Sequence, residues 1–354
     1  MTNGCEKFGE GFLGKLNIWA KENCVPFSTS FELTPFCNFR CVMCYVRLDK
    51  EQAEQQGRLL SASEWLEIAK DLRDMGTLQI DLTGGEVFVY PEFWELYSEL
   101  NRMGFLIAVL SNGSMIDESV MEKFRLYGMP HSVKLTLYGA SDDTYVRVCG
   151  SSDGFSKFSK AIDLLQNAGV PVTMSATVVR ENADDLQAMY RFAAEKGIRL
   201  HHSVAVLKPS RGAVNTAESS RLGFLDYSYE YTLEDLENSR YRIPEYPFSM
   251  CAGYRKSLFI TWNGHLQLCS FMSRPYVEYS GDIKTDFSKL YGLLEQIKNP
   301  PECVACEWKE FCQRCPAVLC CESGHPEKID KNFCETAKQL KLLYDMKRGM
   351  NYEE

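Results

Sequence analysis

Three cysteines near the N-terminus, Cys37, Cys41 and Cys44, have the type and spacing for metal chemistry. They follow a strand-like segment, 28–33, and form the pattern C-x3-C-x2-C. Three thiolates can hold three corners of a cubane [4Fe–4S] cluster and leave its fourth iron open to another ligand. The triplet alone leaves two alternatives open, namely buried free cysteines or part of a zinc site with a remote ligand.

The remaining cysteines are unevenly distributed. The chain has 15 cysteines in 354 residues, and most of them lie in 37–44 and 303–321. The first residues show no basic region followed by an apolar stretch, so no signal peptide is predicted. Many cysteines without an export signal indicate metal or catalytic thiols in a reducing cytoplasm. Cys5, Cys24 and Cys149 lie outside these patterns and are expected to be ordinary thiols.

Charge and hydropathy exclude some classes of partner. The net charge of −9 argues against nucleic acid as the main partner. No apolar stretch approaches the length of a membrane span. A chain of 354 residues with 45% hydrophobic residues can form one large domain and a smaller one.

Strand-like and helix-like segments alternate through the first 207 residues. The alternation predicts a parallel sheet with right-handed crossovers. The candidate functional residues repeatedly follow a strand, and the carboxyl ends of strands carry the chemistry of α/β barrels. A doubly wound sheet is the alternative. The six predicted strands are 28–33, 78–82, 105–110, 132–138, 172–179 and 199–207.

The second half of the chain has a different composition. Trp262-Asn263-Gly264 stands between two alternating segments and predicts a β-hairpin. Two C-x2-C pairs follow, and their spacing is also that of zinc ribbons. The predicted organisation is a lead-in at 1–27, an α/β domain at 28–212, a bridge at 213–248, a small cysteine-rich domain at 249–340, and a helix and tail at 341–354.

The order of CNFRCVMC (37–44) and TGGE (83–86) on βα repeats resembles the radical SAM superfamily. In that family three cysteines hold a [4Fe–4S] cluster, and its open iron binds the amino and carboxylate groups of S-adenosylmethionine (SAM). The resemblance implies a partial (β/α)6 barrel. It also implies reductive cleavage of SAM to a 5′-deoxyadenosyl radical, which removes hydrogen from a substrate.

The same resemblance implies contacts to SAM. Gly84 and Gly85 would let the backbone approach the methionine ammonium, and Glu86 would accept a hydrogen bond from it. Ser111 and Asn112 would bind the ribose hydroxyls. For each further candidate, a purely structural role is the alternative. The further candidates are Thr136 and Arg147 for the SAM carboxylate, Thr177 and Val206 for the nucleoside, and Met43 for the adenine.

The C-terminal cysteines resemble the SPASM extension of radical SAM enzymes. One departure is that two residues, not three, separate Cys312 from Cys315. The fourth ligand of the cluster that includes Cys315 stays open: Cys320 or Cys321 could supply it or replace Cys315, or the place could be left for substrate. The resemblance implies two auxiliary [4Fe–4S] clusters, one held by Cys303, Cys306, Cys312 and Cys334 and the other by Cys251, Cys269 and Cys315.

Proteins with this two-part build mostly modify peptides. The resemblance therefore implies a maturase that installs a crosslink or an oxidative modification in a ribosomally made peptide. An electron donor such as flavodoxin or ferredoxin is expected. A separate leader-recognition protein or a leader-independent substrate is also expected, because the lead-in is too short for a fused recognition domain.

Three other functions stay open. The first is an anaerobic sulfatase maturase, although such enzymes typically carry Asp as a base where this chain has Ser270. The second is a radical dehydrogenase of a small molecule. The third is a protein that binds zinc or a cluster without catalysis.

Overall fold

The computed structural model describes residues 12–211, 217–227, 232–238, 247–248, 251–312 and 314–350. The predictions for Cys5 and for the tail 351–354 lie outside the described residues. The strands are β1 (Ser28–Glu32), β2 (Gln79–Thr83), β3 (Leu106–Ser111), β4 (Ser132–Thr136), β5 (Val172–Thr177), β6 (Leu200–Ser203), β7 (Ser257–Ile260), β8 (His265–Gln267) and β9 (Val277–Glu278).

The helices alternate with these strands in the first half and dominate the end of the chain. They are α1 (Phe12–Asn23), α2 (Lys50–Gln56), α3 (Ala62–Met75), α4 (Phe93–Arg102), α5 (Glu118–Tyr127), α6 (Asp142–Cys149), α7 (Gly154–Asn167), α8 (Leu186–Glu195), α9 (Ala217–Ser220), α10 (Phe224–Tyr227), α11 (Leu233–Asn238), α12 (Ile283–Leu294), α13 (Pro301–Val304), α14 (Pro316–Ser323) and α15 (Lys331–Met350).

The described strands form one sheet in the order β6-β5-β4-β3-β2-β1-β7-β8-β9. The first six are parallel and stand in sequence order. A doubly wound sheet reverses its strand order at a switch point, and no reversal occurs here. The predicted α/β fold with a partial (β/α)6 barrel is therefore confirmed.

Helix α3 shows why these segments fold as predicted. Ser61 caps its first turn and forms a capping box with Glu64, and Gly76 ends it in the left-handed region at φ 100°. Its apolar face is buried, and Trp65 stacks on Phe31 of β1 with ring centroids 4.6 Å apart. Burial of each large side chain contributes roughly 2 kcal/mol. This packing fixes β1, which leads into the cysteine triplet.

The predicted hairpin is present, but its place in the fold was not predicted. Strand β7 pairs in parallel with β1, with Ser28 opposite Ser257 and Phe31 opposite Ile260. Strand β8 then runs antiparallel to β7 through the predicted turn. The sheet thus continues across the predicted boundary at residue 248. The division into domains stays a prediction, and the sheet joins the two parts.

The end of the chain packs as a separate small unit. Leu236 of α11, Phe311, and Leu340 and Tyr344 of α15 form an apolar cluster of their own. Helices α12 and α14 were not predicted, nor were α2 and α6. Among the described helices, none is long and apolar enough to cross a membrane.

Candidate functional site

Glu86 forms a polar network at the carboxyl ends of β2 and β3. Its side chain is 1% exposed, and its two oxygens accept hydrogen bonds of 2.8 Å from the Ser111 hydroxyl and from the backbone N–H of Asn112. The Asn112 side chain donates to Oδ1 of Asn38 at 2.9 Å. The structure thus brings three predicted cofactor residues together and joins them to the loop that carries Cys37.

Gly84 and Gly85 pack against the segment that enters this loop. The N–H of Gly85 donates to the carbonyl of Thr34 at 2.7 Å, and the N–H of Glu86 donates to the carbonyl of Phe36 at 2.9 Å. A Cβ on Gly85 would lie 2.2 Å from the Phe36 oxygen, and one on Gly84 would lie 2.6 Å from the Thr34 oxygen. Side chains cannot fit there, so the glycines are required for this contact. Their approach to SAM stays a prediction.

Backbone donors surround the sulfurs of the cysteine loop. The N–H of Phe39 lies 3.3 Å from Cys37 Sγ, and the N–H of Arg47 lies 3.2 Å from Cys44 Sγ. Hydrogen bonds to sulfur favour the thiolate and tune iron–sulfur clusters. The loop therefore offers the donors that a cluster requires.

The three thiols are close enough to act on one another electrostatically. Burial is the main cause that raises the pKa of Cys37, and the nearby Glu86, Cys41 and Cys44 raise it further. Burial and then Cys41 likewise raise the pKa of Cys44. Buried thiols of this kind stay protonated unless a cation is bound, and coordination to iron deprotonates them. The donor set fits a cluster with positive iron at its corners.

Cys149 was predicted to be an ordinary thiol, and it lies directly behind Cys41. Its hydrogen bond to Cys41 is the largest cause that raises the pKa of the Cys41 thiol, and burial is the second. The N–H of Arg40 donates to the Cys149 carbonyl at 2.9 Å, which holds the loop on α6. No sequence pattern predicted this contact, because α6 itself was not predicted.

Three further predicted SAM residues lie at or near strand ends, and a fourth, Met43, lies in the cysteine loop. Thr136 and Thr177 end β4 and β5, and both are half-buried. Val206 is buried three residues after β6, and Met43 is buried in the main core. They occupy the edge of the sheet at which Glu86 and Ser111 stand. Their contacts to SAM stay predictions.

Arg147 points to a neighbouring loop. Its Nε donates to the carbonyl of Glu181 at 3.1 Å, and its Nη2 donates to Thr144 Oγ1 at 3.2 Å and lies 3.5 Å from Asp184. Its side chain is 45% exposed. These contacts join α6 to the loop after β5, and its predicted bond to the SAM carboxylate is not tested by them.

A cavity of about 340 Å³ is lined by residues of several strands of the sheet. It extends from the starts of β1 and β7 to the ends of β1 and β2. It connects the cofactor motif with the C-terminal cysteines, because its walls include Glu32, Tyr45, Gly84, Cys251, Cys269 and Ser270.

Two polar contacts beside this cavity were not predicted. Arg211 donates from Nε and Nη2 to the two oxygens of Glu32, at 3.1 Å each, and both side chains are buried. The phenol of Tyr45 is hydrogen-bonded to Ser270, and burial raises its pKa to about 12. Tyr45 follows Cys44, and Ser270 follows Cys269. The two cysteine regions thus meet at Tyr45, whose ring also lies 4.9 Å from that of Phe271.

The cysteines after residue 250 come together in the two predicted groups. Cys269 has a pKa raised to about 12, chiefly by burial and also by Cys315 and Cys251. Cys321 lies beside this first group, because Cys269 contributes to its raised pKa after burial and Cys320. Its Sγ also lies 3.0 Å from the Phe271 carbonyl.

The second group contains Cys303, Cys306, Cys312 and Cys334. Burial raises the pKa of Cys303, and Cys334 and Cys306 raise it further. Burial likewise raises the pKa of Cys312, to about 11, with contributions from Cys303 and Cys334. Arg314 lies beside this group, and two of its buried N–H groups have no acceptor. Negatively charged sulfur would supply one, so the residues present fit a cluster.

Within the described residues, no three His, Cys, Asp or Glu side chains stand close enough to bind a single metal ion. A cubane cluster is larger than an ion, and each cysteine ligand binds a different iron atom at its own corner. This finding therefore concerns single-ion sites.

Comparison with known families places this site. Residues 31–193 match the profile described as "Radical SAM superfamily". The match contains the triplet, the TGGE segment and the polar network of Glu86. Residues 31–193 are therefore a radical SAM domain. A domain of this family makes the chain an enzyme, and the family implies one [4Fe–4S] cluster and SAM.

Among radical SAM relatives, the chain is similar to the antilisterial bacteriocin subtilosin biosynthesis protein AlbA of Bacillus subtilis. The two are 25% identical over 90% of this chain and 72% of AlbA. The PqqA peptide cyclase of Granulibacter bethesdensis is 29% identical over 49% of this chain, and the match spans 45% of that protein.

A solved structure extends the similarity in fold to both halves. Streptococcus suis SuiB, in a crystal structure with its precursor peptide SuiA, covers 91% of this chain with a TM-score of 0.65 and 16% identity. The matched region is 80% of the SuiB chain. The radical SAM barrel and the cysteine-rich half thus have a known structural counterpart.

Proposed function

We propose that this chain is a radical SAM maturase that modifies a peptide and carries two auxiliary clusters in a SPASM-type domain. The observation that carries the proposal is the cavity, because residues next to Cys44, Gly84 of the cofactor motif, and Cys251 and Cys269 all line it. A substrate side chain held there lies between the cofactor and the auxiliary thiols.

Cys37, Cys41 and Cys44 would hold the first cluster. When bound, that cluster and SAM supply the 5′-deoxyadenosyl radical that removes hydrogen from the substrate. The chain itself positions the reactants and excludes water, which is the general contribution of a protein to cofactor chemistry. Glu86 is held between β2 and β3 and presents a carboxylate for the SAM ammonium.

The two C-terminal groups would hold the auxiliary clusters. The first group faces the cavity through Cys251 and Cys269, so a cluster there is placed to accept an electron from a substrate radical or to bind a substrate thiolate. Cys321, close to Cys269, is the better placed of the two candidates for its fourth ligand. Cys320 instead lies 3.6 Å from the Arg274 carbonyl.

A peptide is the substrate class that the relatives favour. The printed names of AlbA and PqqA peptide cyclase refer to a bacteriocin and a peptide, and SuiB is seen with a precursor peptide. Sulfatase maturation is disfavoured because Ser270 is bonded to Tyr45 and provides no carboxylate base. An electron donor and a separate leader-recognition protein complete the proposed system.

The test uses the whole chain, reconstituted anaerobically with iron and sulfide. We expect about twelve irons per chain, at four per cluster, with matching sulfide. Dithionite and SAM should then yield 5′-deoxyadenosine. A peptide encoded beside the gene should lose hydrogen atoms in a mass spectrum only when SAM is present. One or two zinc ions in place of iron would overturn the proposal.

A further inference from the structure

Arg314 stands between the two groups of C-terminal cysteines. In the chain it lies between Cys312, a member of the second group, and Cys315, a member of the first. Its Nη2 donates to Oδ1 of Asn299. Its Nε and Nη1 are buried and have no hydrogen-bond partner among the residues that the structure describes.

Unpaired guanidinium donors are costly to bury. A buried polar group without a partner costs about 1–3 kcal/mol, and more when it is charged. The arginine keeps its charge in any protein environment, so deprotonation cannot relieve this cost. Two N–H donors of Arg314 therefore have no acceptor among the described residues.

Two members of the second cysteine group, Cys303 and Cys312, lie close to Arg314. The positive charge of Arg314 acts on both Cys303 and Cys312 and lowers their pKa values against the larger opposing effect of burial. The backbone N–H of Arg314 also donates to Cys312. The guanidinium thus faces the thiols that would hold the second auxiliary cluster.

We propose that Arg314 donates hydrogen bonds from Nε and Nη1 to the sulfurs of the cluster held by Cys303, Cys306, Cys312 and Cys334, and so raises its reduction potential. This inference rests on the proposed function, which supplies the cluster. Reduction adds negative charge to a cluster, and a fixed cation with N–H donors stabilises the reduced state. Arg314 is therefore a positioning and tuning residue and not a ligand.

The experiment compares the parent chain with Arg314→Gln and Arg314→Lys after anaerobic reconstitution. Each sample is titrated with dithionite and mediators while the signals of the clusters are followed by electron paramagnetic resonance. We expect one of the three potentials to become more negative in Arg314→Gln and to shift less in Arg314→Lys, which keeps the charge but not the planar fork. The other two potentials should stay unchanged.

The matched control is Arg102→Gln, which removes the same charge from an exposed ion pair with Glu99 on α4. It should leave all three potentials unchanged. Labelling the parent with arginine that carries 15N only in its guanidinium group should give a nitrogen coupling to one reduced cluster, and Arg314→Gln should abolish it. If Arg314→Gln assembles poorly, Arg314→Lys and the labelled parent still decide the question.

Two results would overturn the inference. The first is a full set of clusters with unchanged potentials in both Arg314 variants. The second is the absence of any nitrogen coupling in the labelled parent. A parent chain without iron would instead overturn the proposed function, so the two failures are distinguishable.

Discussion

At the scale of single residues, burial changes the pKa of Glu86 and so its charge near neutral pH. Burial raises its pKa to about 7, although the Asn112 N–H and the Ser111 hydroxyl favour the charged form. Glu86 therefore loses its proton near neutral pH, and a nearby positive group would favour the charged form. The sequence predicted an acceptor for SAM, and the structure adds the network that fixes its position.

The charge of Glu86 leads to a testable pH dependence. Since its pKa is raised, we expect SAM to bind more tightly as the pH rises from about 6 to about 7.5, because the carboxylate that forms over this range accepts a hydrogen bond from the amino group of SAM better than the protonated acid does. Equilibrium dialysis of reconstituted protein with SAM measures this. Glu86→Gln should bind SAM more weakly and without this slope. An equal slope in the variant would contradict the assignment.

A second prediction concerns Cys41. Cys41→Ala should lose about four irons per chain and should reduce SAM cleavage to the background level, because the first cluster loses one of its three ligands. Iron analysis and the yield of 5′-deoxyadenosine measure the two effects. The control is Cys24→Ala, a half-buried thiol next to Arg255 and Glu295, which should keep both values. Normal SAM cleavage by Cys41→Ala would refute the site.

At the scale of elements, the end of β2 and the start of the cysteine loop form one packed unit. Three backbone hydrogen bonds, donated by Leu33, Gly85 and Glu86, join the two segments. The sequence pattern of neither segment predicts this contact. The glycines that resemble a cofactor motif are therefore also packing residues.

This contact predicts the effect of Gly85→Ala. The new Cβ would overlap the Phe36 carbonyl, so we expect a loss of about 1–3 kcal/mol in unfolding free energy, as for other overpacked sites, and weaker SAM binding. Urea denaturation and dialysis measure these effects. Gly292→Ala is the control, because this helical glycine on α12 has open space around it and should gain about 0.5–1 kcal/mol. Equal stabilities would contradict the packing role.

At the scale of the whole molecule, a buried ion pair ties the barrel to the segment that leaves it. Arg211 lies eight residues after β6, and its partner Glu32 is on β1. Its guanidinium also lies 5.6 Å from the ring of Phe259 on β7. One side chain thus links the last part of the barrel, the first strand and the added hairpin.

Removing one partner should therefore be costly. Arg211→Met should lower the unfolding free energy by about 3–5 kcal/mol, because Glu32 is left buried and unpaired. Adding Glu32→Met should restore much of this loss, since a buried pair replaced by apolar residues is often tolerated. Urea denaturation of the two single variants and the double variant measures the coupling. If the losses in unfolding free energy of the two single variants add up in the double variant, Arg211 and Glu32 do not act as a pair.

The two halves also predict a division of function. Cys306→Ala removes a ligand of the second auxiliary group and leaves the N-terminal triplet intact. We expect it to cleave SAM to 5′-deoxyadenosine but to form little modified peptide. The two products are measured in one reaction by chromatography and mass spectrometry. A parallel loss of both activities would place the auxiliary group in the first step.

Much of this arrangement followed from local pattern. The capping box at Ser61, the Asn-Gly turn at 263–264 and the alternation of strands and helices each depend on a few neighbouring residues. Helices α2 and α6 were missed because short polar segments show little periodicity. The contact of Cys149 with Cys41 was missed because it joins residues more than one hundred positions apart.

The amino-acid sequence by itself determined the parallel strands, the hairpin and the close spacing of the N-terminal cysteine triplet, because periodicity and spacing depend on neighbouring residues. The grouping of the later cysteines was predicted only from a family resemblance. Only the tertiary structure decided that β7 lies beside β1, that Glu32 meets Arg211, and that Arg314 faces one cysteine group with two donors unpaired. These contacts depend on how the sheet curves and which strand takes its open edge. Packing over the whole chain determines these contacts, and no short segment of the sequence predicts them.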